Sequence, residues 1–225
     1  MQGNSKLIVI EGLDGSGKST QFEILKKHFD DNGINVKAIS FPDYDQPSSS
    51  LVKMYLGGEF SDSADGVNAY AASSFYAVDR YASYKLFWEK EYKSGTAILA
   101  ARYVTSNAIY QMTKLDKSEW DNYLAWLEEY EYCKLELPRP DLVIFLDMPI
   151  EVSQKLLSKR YKGNESKKDI HESNCDFLKN CREAALYTAH KQDWKIIDCS
   201  FNDEPLPIET ITEKIKDAVK QCISW

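Results

Sequence analysis

Five short apolar runs recur along the chain, at residues 6–11, 35–41, 97–101, 142–147 and 194–198, and each has the length of a buried strand. The runs show little alternation, as expected of strands covered on both faces. Helix-length stretches separate them. That order predicts an α/β fold: a parallel five-stranded sheet with helices on both faces.

The helical stretches carry their own periodicity. Phe22, Leu25 and Phe29 recur at helical spacing after residue 20. Residues 68–93 read as one long helix with Phe75, Val78, Ala82 and Leu86 as its core stripe and Tyr76 and Arg80 on a neighbouring face. Residues 117–137 form an aromatic-rich amphipathic helix (Trp120, Tyr123, Leu124, Leu127, Tyr130), with Ser118 and Asp121 as a capping box and Pro138-Arg139-Pro140 as its stop. Its apolar face packs on the body or, alternatively, makes a homodimer contact. Residues 149–160 turn Val152, Leu156 and Leu157 inward, and Ile208, Ile211, Ile215, Val219 and Cys222 mark a closing helix. No repeat or low-complexity linker interrupts the series, which predicts a single domain over residues 1–225.

One stretch gives this frame a chemistry. Gly12-Leu13-Asp14-Gly15-Ser16-Gly17-Lys18-Ser19 fits the phosphate-loop pattern Gly-x4-Gly-Lys-[Ser/Thr], and Thr20 opens the helix behind it. A buried strand precedes the motif, so the order strand, glycine turn, helix is the one that phosphate binding needs. The glycines let backbone N–H groups face a phosphate, and the helix N-terminus adds partial positive charge. Lys18 can reach the β- and γ-phosphates, and the Ser19 hydroxyl can ligate Mg²⁺.

Composition narrows the partners. A formal net charge of −7 lacks the basic excess of a nucleic-acid binder, yet leaves room for a small phosphorylated ligand held by a few cations. Five cysteines without a Cys-x-x-Cys pair read as free thiols in a reducing cytosol. With no apolar run near the ~18 residues of a membrane span, and no leader pattern, a cytoplasmic protein without membrane contact is expected.

Further candidates fall where strands end, the place at which open parallel sheets bind ligands. Phe41, Pro42 and Tyr44 follow the second run and should line the crevice of the phosphate loop. Tyr76 and Arg80 could stack on a base and bond its carbonyl edge, although a surface tyrosine packed on an arginine stem reads as well. Arg102 follows the third run and, with the small polar residues after it, suits an anion. Many phosphate-loop proteins end such a strand in an Asp near Mg²⁺; here Ala101 stands there, and Asp147 at the end of the fourth run is a weak substitute. Residues 159–172 are rich in Arg and Lys, and form either a solvated charge run or a basic lid that closes over phosphates.

Together these segments resemble the thymidylate kinases. The resemblance spans Glu11 to Gln21, Phe41-Pro42-x-Tyr44, Tyr76-x-x-x-Arg80, Arg102-Tyr103-x-x-Ser106-Asn107-x-x-Tyr110-Gln111, Pro140-Asp141-Leu142 through Asp147, and Asp169-x-x-Glu172. It implies transfer of the γ-phosphoryl group of ATP, with Mg²⁺, to dTMP. By the same resemblance Arg80 bonds the thymine edge and Tyr76 stacks on it, where the family usually shows Phe. Arg102 holds the dTMP phosphate, and Ser106, Asn107 and Gln111 line the base pocket. Tyr110 crowds out a ribose 2′-hydroxyl, and Asp14 approaches the sugar or the metal shell. Asp169 and Glu172 follow the lid. One branch of the family carries an Arg where this loop has Gly15, and the other takes its catalytic cation from the lid. That makes Arg160 the leading candidate, with Lys162, Lys167 and Lys168 behind it.

Two departures stand out. The family usually reads Asp-Arg-Tyr where this chain has Ala101-Arg102-Tyr103, and an Arg often found after the Phe-Pro pair is replaced by Asp43 and Tyr44. They bear on metal placement and on one phosphate contact. The alternatives are a kinase for another deoxynucleotide or a nucleoside, and a non-catalytic or weakly active nucleotide-binding homologue. A GTPase reading of Thr113-Lys114-Leu115-Asp116 is discounted, because that motif lies in a helical stretch and not at a strand's end.

Overall fold

The computed structural model describes residues 5–61, 66–160 and 175–223. Strand β1 (Leu7–Gly12) leads through the glycine turn into helix α1 (Lys18–Asp31), followed by β2 (Val36–Ser40) and a short α2 (Ser50–Leu56). Helix α3 (Ala69–Ser83) runs through a π-helical turn (Tyr84–Trp88) into α4 (Glu89–Lys93), and β3 (Ala97–Ala101) leads to α5 (Thr105–Tyr110). Next come α6 (Trp120–Glu128) with a second π turn (Glu129–Lys134), β4 (Leu142–Asp147) and α7 (Ile150–Arg160). Helix α8 (Cys175–Lys191), β5 (Lys195–Asp198) and α9 (Ile208–Cys222) complete the layers.

The five long strands form one parallel sheet in the order β2-β3-β1-β4-β5. Strand β1 is central and buried along its whole length. Leu7 and Val9 join Ile98, Ala100, Val143 and Phe145 in a core shared with residues from α5, α6 and α8. Ile8 and Ile10 face the other way, onto Leu99, Ile144, Phe22, Leu25, Phe29, Ile211 and Ile215. Alternate residues of an unbroken apolar run thus serve two cores. Each buried Leu or Ile stabilises the fold by about 1.5–3 kcal/mol, which fixes the strand carrying the phosphate loop.

The long helix departs from its predicted stripe. Val78 and Leu86 are exposed (46% and 72%), and Phe75 and Ala82 are half-buried. The buried face is instead Ala72, Ser73, Ala77, Arg80, Ser83, Tyr84 and Trp88. Small residues allow close approach to the body, a carboxylate partner lets Arg80 enter, and the π turn rotates the aromatic end inward. Apolarity marked the wrong face because the helix buries polar groups.

The helix predicted from 117 begins as a 3-10 turn at Lys117–Glu119, capped by Asp116, whose carboxylate accepts from Ser118 N at 2.9 Å. Ser118 is therefore not the cap, and Asp121 accepts from the Tyr187 hydroxyl (2.6 Å) instead of closing a capping box. Trp120, Tyr123, Leu124 and Leu127 are buried in the body, the first of the two readings of that face. Ile211, Ile215 and Val219 are buried as predicted, whereas Ile208 is exposed and Cys222 half-buried. A small antiparallel hairpin, Ser200–Phe201 with Glu204–Pro205, was not anticipated; Asn202 and Asp203 make its turn at positive φ, which both residue types tolerate. Among the described residues no helix is long and apolar enough to cross a membrane.

Candidate active site

Strand β1 delivers Glu11 and Gly12 into the glycine turn, and Gly15 and Gly17 take left-handed φ values of 77° and 86°. A Cβ on Gly15 would stand 2.9 Å from the Ser153 carbonyl and 3.0 Å from Leu157, so α7 leaves no room for a side chain there. Among the described residues no side chain caps α1, so its first N–H groups remain for an anion. Ser16 is buried and its hydroxyl has no hydrogen-bond partner among the described residues, a polar atom that a phosphate oxygen would satisfy. Burial, with the charge of Arg102 second, lowers the Lys18 pKa to about 8, against the pull of Asp14 and Glu11. Ser19 lies exposed at the helix start.

At the end of β3, Arg102 adopts φ 65° and its N–H donates to Ile10 O (3.1 Å). That twist turns its side chain toward the glycine turn. Nη2 donates to Asp14 Oδ1 at 2.9 Å, and the guanidinium lies 4.9 Å from the Tyr110 ring centroid. Burial disfavours the charge, but Tyr110, Asp14 and Glu11 outweigh it and hold Arg102 protonated. The following residues are tied down by Glu11, which is fully buried. Its carboxylate accepts from Tyr103 N (3.2 Å), Thr105 Oγ1 (2.6 Å) and Ser106 Oγ (2.8 and 2.9 Å).

Arg80 comes from α3, buried to 1% exposure. Its Nε and Nη2 donate to Glu131 Oε2 and Oε1 at 2.7 and 2.6 Å, and Nη1 donates to Tyr103 O at 3.3 Å. Asn107 Nδ2 donates to Glu131 Oε1 (3.1 Å) and Ser73 O (3.3 Å). The Gln111 amide oxygen accepts weakly from the Tyr55 hydroxyl (3.4 Å), to which Lys114 Nζ also donates (2.7 Å). The loop carrying Pro42 and Tyr44 is anchored by buried Asp79, which accepts from Asp43 N (2.9 Å) and Ser48 Oγ (2.6 Å).

A cavity of about 770 Å³ joins these groups. Asp14, Phe41, Pro42, Tyr44, Tyr76, Arg80, Arg102, Ser106, Asn107, Tyr110 and Gln111 all line it. These are the described residues among those expected to meet the acceptor. Burial raises the pKa of the Tyr76 phenol, which keeps it neutral. The chain adds Tyr55 and Asn180, which carried no sequence signal, and Lys114, which the sequence offered only within the discounted GTPase motif. Glu131 was also missed, because an acid in the run Glu128-Glu129-Tyr130-Glu131 looks like a solvated helix face.

Other candidates separate from this cluster. Asp147, the weak substitute for a metal-ordering acid, accepts two hydrogen bonds from Arg182 (2.6 and 2.7 Å). Thr113 and Lys114 do line the cavity, but they lie in a 3-10 turn after α5 and not at a strand's end, so the GTPase reading stays discounted. Arg160 ends α7, and its side chain lies outside the described residues, as do Lys162, Lys167, Lys168, Asp169 and Glu172. The five cysteines are free thiols, and Cys181 is buried with its pKa pushed up to about 12 by burial.

A parallel sheet whose central strand feeds a phosphate loop, beside a deep second cavity with two arginines, is the architecture of a phosphate-loop nucleotide kinase. The family profile described as Thymidylate kinase matches residues 10–215. The chain is 33% identical over 158 residues to the thymidylate kinase of Mycobacterium tuberculosis, covering 70% of this chain and 71% of that one. It is 28% identical over 213 residues to a probable thymidylate kinase of Pyrobaculum aerophilum, covering 95% and 97%. The solved thymidylate kinase of Candida albicans shares the fold with a TM-score of 0.70 at 24% identity, over 98% of this chain and 92% of that one. This chain belongs to the thymidylate kinase family.

Proposed function

We propose that this chain transfers the γ-phosphoryl group of ATP to the 5′-phosphate of dTMP, giving dTDP and ADP. The observation that carries the reading is the Arg102–Asp14 pair, which sits where the glycine turn opens onto the second cavity. The turn's amides, Lys18 and the Ser16 hydroxyl grip the donor phosphates. Arg102 holds the acceptor phosphate, already an oxyanion at neutral pH, so no general base is needed. Positioning and charge neutralisation carry the catalysis. Tyr76 stacks on the base, Arg80 bonds its carbonyl edge, and Tyr110 closes the space beside the sugar. With Gly15 walled in by α7, a cation at that position is excluded, which leaves the lid of residues 159–172, Arg160 first, to supply one.

Mg²⁺ fits the donor set only in company with phosphate. Ser19 offers an exposed oxygen, while Arg102 occupies Asp14 and Arg182 occupies Asp147. Among the described residues no cluster of three or more His, Cys, Asp or Glu could hold a metal ion. Ser19, phosphate oxygens and water would complete its shell, the usual habit of this ion, and when bound it neutralises charge on the transferred group.

The protein acts in the cytoplasm as a single domain and as a homodimer. The second copy is assigned to the exposed apolar side chains Val78, Tyr81 and Leu86 of the long helical stretch and not to α6, whose face the core has taken. Light scattering on the wild type and Leu86→Asp tests this; a monomeric wild type would reject it. For the reaction, ADP release is measured with dTMP, dUMP, dCMP and thymidine as acceptors. The reading requires dTMP-dependent ADP, and fails if thymidine or dCMP is the better acceptor. A nucleotide-binding module without activity would bind ATP and release none.

A further inference from the structure

We infer that Glu131, a residue outside the cavity lining, is the positioning residue that makes the acceptor site read a keto pyrimidine and reject an amino one. The inference rests on the dTMP reading above and names what sets its base selectivity.

The argument is one of donors and acceptors. Glu131 is fully buried on the π turn after α6. An ionised carboxylate only accepts, and both of its oxygens are used here. Oε2 takes Arg80 Nε, while Oε1 takes Arg80 Nη2 and Asn107 Nδ2. The Ser73 carbonyl, also acceptor-only, takes the second Asn107 N–H. The Asn107 amide therefore has one orientation: turned over, its oxygen would face two acceptors. Both residues line the cavity. Arg80 can present only its remaining N–H donors there, and Asn107 only its Oδ1 acceptor.

A fixed donor beside a fixed acceptor complements a ring carbonyl beside an imino N–H, the edge shared by thymine and uracil. Cytosine reverses both groups, setting an exocyclic amine against a guanidinium and a bare ring nitrogen against an amide oxygen. Two buried mismatches leave protein groups unpaired, the condition under which polar sites discriminate strongly. Without Glu131 only the Ser73 carbonyl opposes a turned-over amide, and in that orientation the site would offer a donor where cytosine needs one. Selectivity thus resides in an anion that never touches the base.

The test compares kcat/KM for dTMP, dUMP and dCMP in the wild type, Glu131→Gln and Glu131→Asp. Gln brings an N–H₂ that faces Arg80 or Asn107 and invites the amide to turn. The dTMP:dCMP ratio should fall about tenfold or more, the scale of one charge-assisted hydrogen bond. The dUMP value should follow dTMP, the change should lie in KM for the monophosphate, and KM for ATP should hold. Asp keeps the charge and should recover part of the ratio. A folded, active Glu131→Gln whose dTMP:dCMP ratio equals the wild type's overturns the inference. A purely structural role would lower all three acceptors together, which also overturns it. If the wild type phosphorylates no dTMP, the underlying reading fails, and that is seen before any variant is made. If neither variant folds, side-chain NMR of the wild type decides. The Arg80 Nε–H and Asn107 Nδ2 protons should exchange slowly in the free protein and keep their shifts when dTMP binds. Fast exchange, or movement of the Asn107 amide protons onto the base, overturns the assignment.

Discussion

Burial in the glycine turn lowers the Lys18 pKa from 10.5 to about 8, which predicts that the protein takes up a proton when it binds a nucleoside triphosphate at alkaline pH. At pH 9 a group with that pKa is about one-tenth protonated in the free protein. Beside the β- and γ-phosphates the ammonium should recover its charge, and a return to the ordinary lysine value of 10.5 would make it nearly fully protonated. Binding should therefore consume about 0.9 proton at pH 9 and about 0.1 at pH 7. The same shift has a consequence for stability. Because the folded pKa lies below the unfolded one, an unfavourable contribution is fully present below pH 8 and is relieved as pH rises from 8 to 10.5. Its upper bound is about 3 kcal/mol from 1.36 kcal/mol per pKa unit, reduced by solvent reaching a partly exposed residue.

Calorimetric titration of a non-hydrolysable ATP analogue, run in two buffers of different ionisation enthalpy at each pH, counts the protons directly. Lys18→Met should abolish the uptake. Arg102→Met should reduce it, since the guanidinium is the second cause of the shift. A wild-type uptake below about 0.2 proton at pH 9 would mean that Lys18 titrates as an ordinary lysine, and the account of the loop as a desolvated cradle would be wrong.

Arg102→Ala should weaken dTMP binding by about 1.5–3 kcal/mol, the scale of a charged hydrogen bond, with ATP affinity little changed; equal dTMP affinity by calorimetry would move the acceptor phosphate elsewhere. Glu11→Ala strands two buried donor groups and a half-buried third, and should cost about 3 kcal/mol in urea unfolding, together with a raised KM for dTMP. Gly15→Ala forces a Cβ against Ser153 at left-handed φ, and should lower stability by about 1–3 kcal/mol in a thermal melt. Ala101→Asp should raise kcat and lower the Mg²⁺ concentration needed for half-maximal rate while leaving KM for dTMP unchanged, measured by coupled ADP release.

The sheet and the phosphate loop were legible because both are written locally. Residues 97–101 and 142–147 are strands with the predicted bounds, and the glycine spacing fixes the turn without reference to any distant residue. The acceptor candidates came from resemblance, and one cavity collects the described ones among them. Pairings between remote segments were not. Arg80 and Glu131 lie 51 positions apart, and nothing in the periodicity of either helix says that an arginine enters the core because a glutamate waits there. The same blindness misplaced the stripe of α3, where Val78 and Leu86 scored as core while Ser73 and Arg80 took the inside. π turns add a further error, since the extra residue per turn rotates everything after Ser83 away from the register that a straight helix predicts.

Each arginine of the acceptor cavity is held by a carboxylate from another segment: Arg102 by Asp14 of the glycine turn, Arg80 by Glu131 of the second π turn. Their burial differs, and so should their freedom. The Arg80–Glu131 pair is almost fully enclosed, so removing either partner leaves an uncompensated buried charge, a loss of about 3–5 kcal/mol. That guanidinium is a fixed part of the wall, suited to reading a rigid base. The Arg102–Asp14 pair keeps 21% and 25% side-chain exposure and uses one hydrogen bond, so its charge can be re-aimed at an incoming phosphate at small cost. Glu11 makes this workable by anchoring the backbone after Arg102, so that the side chain alone moves. An acid at position 101 has no part in either clamp. The departure at Ala101 therefore bears on the order of charge around the transferred group and not on whether the acceptor is held.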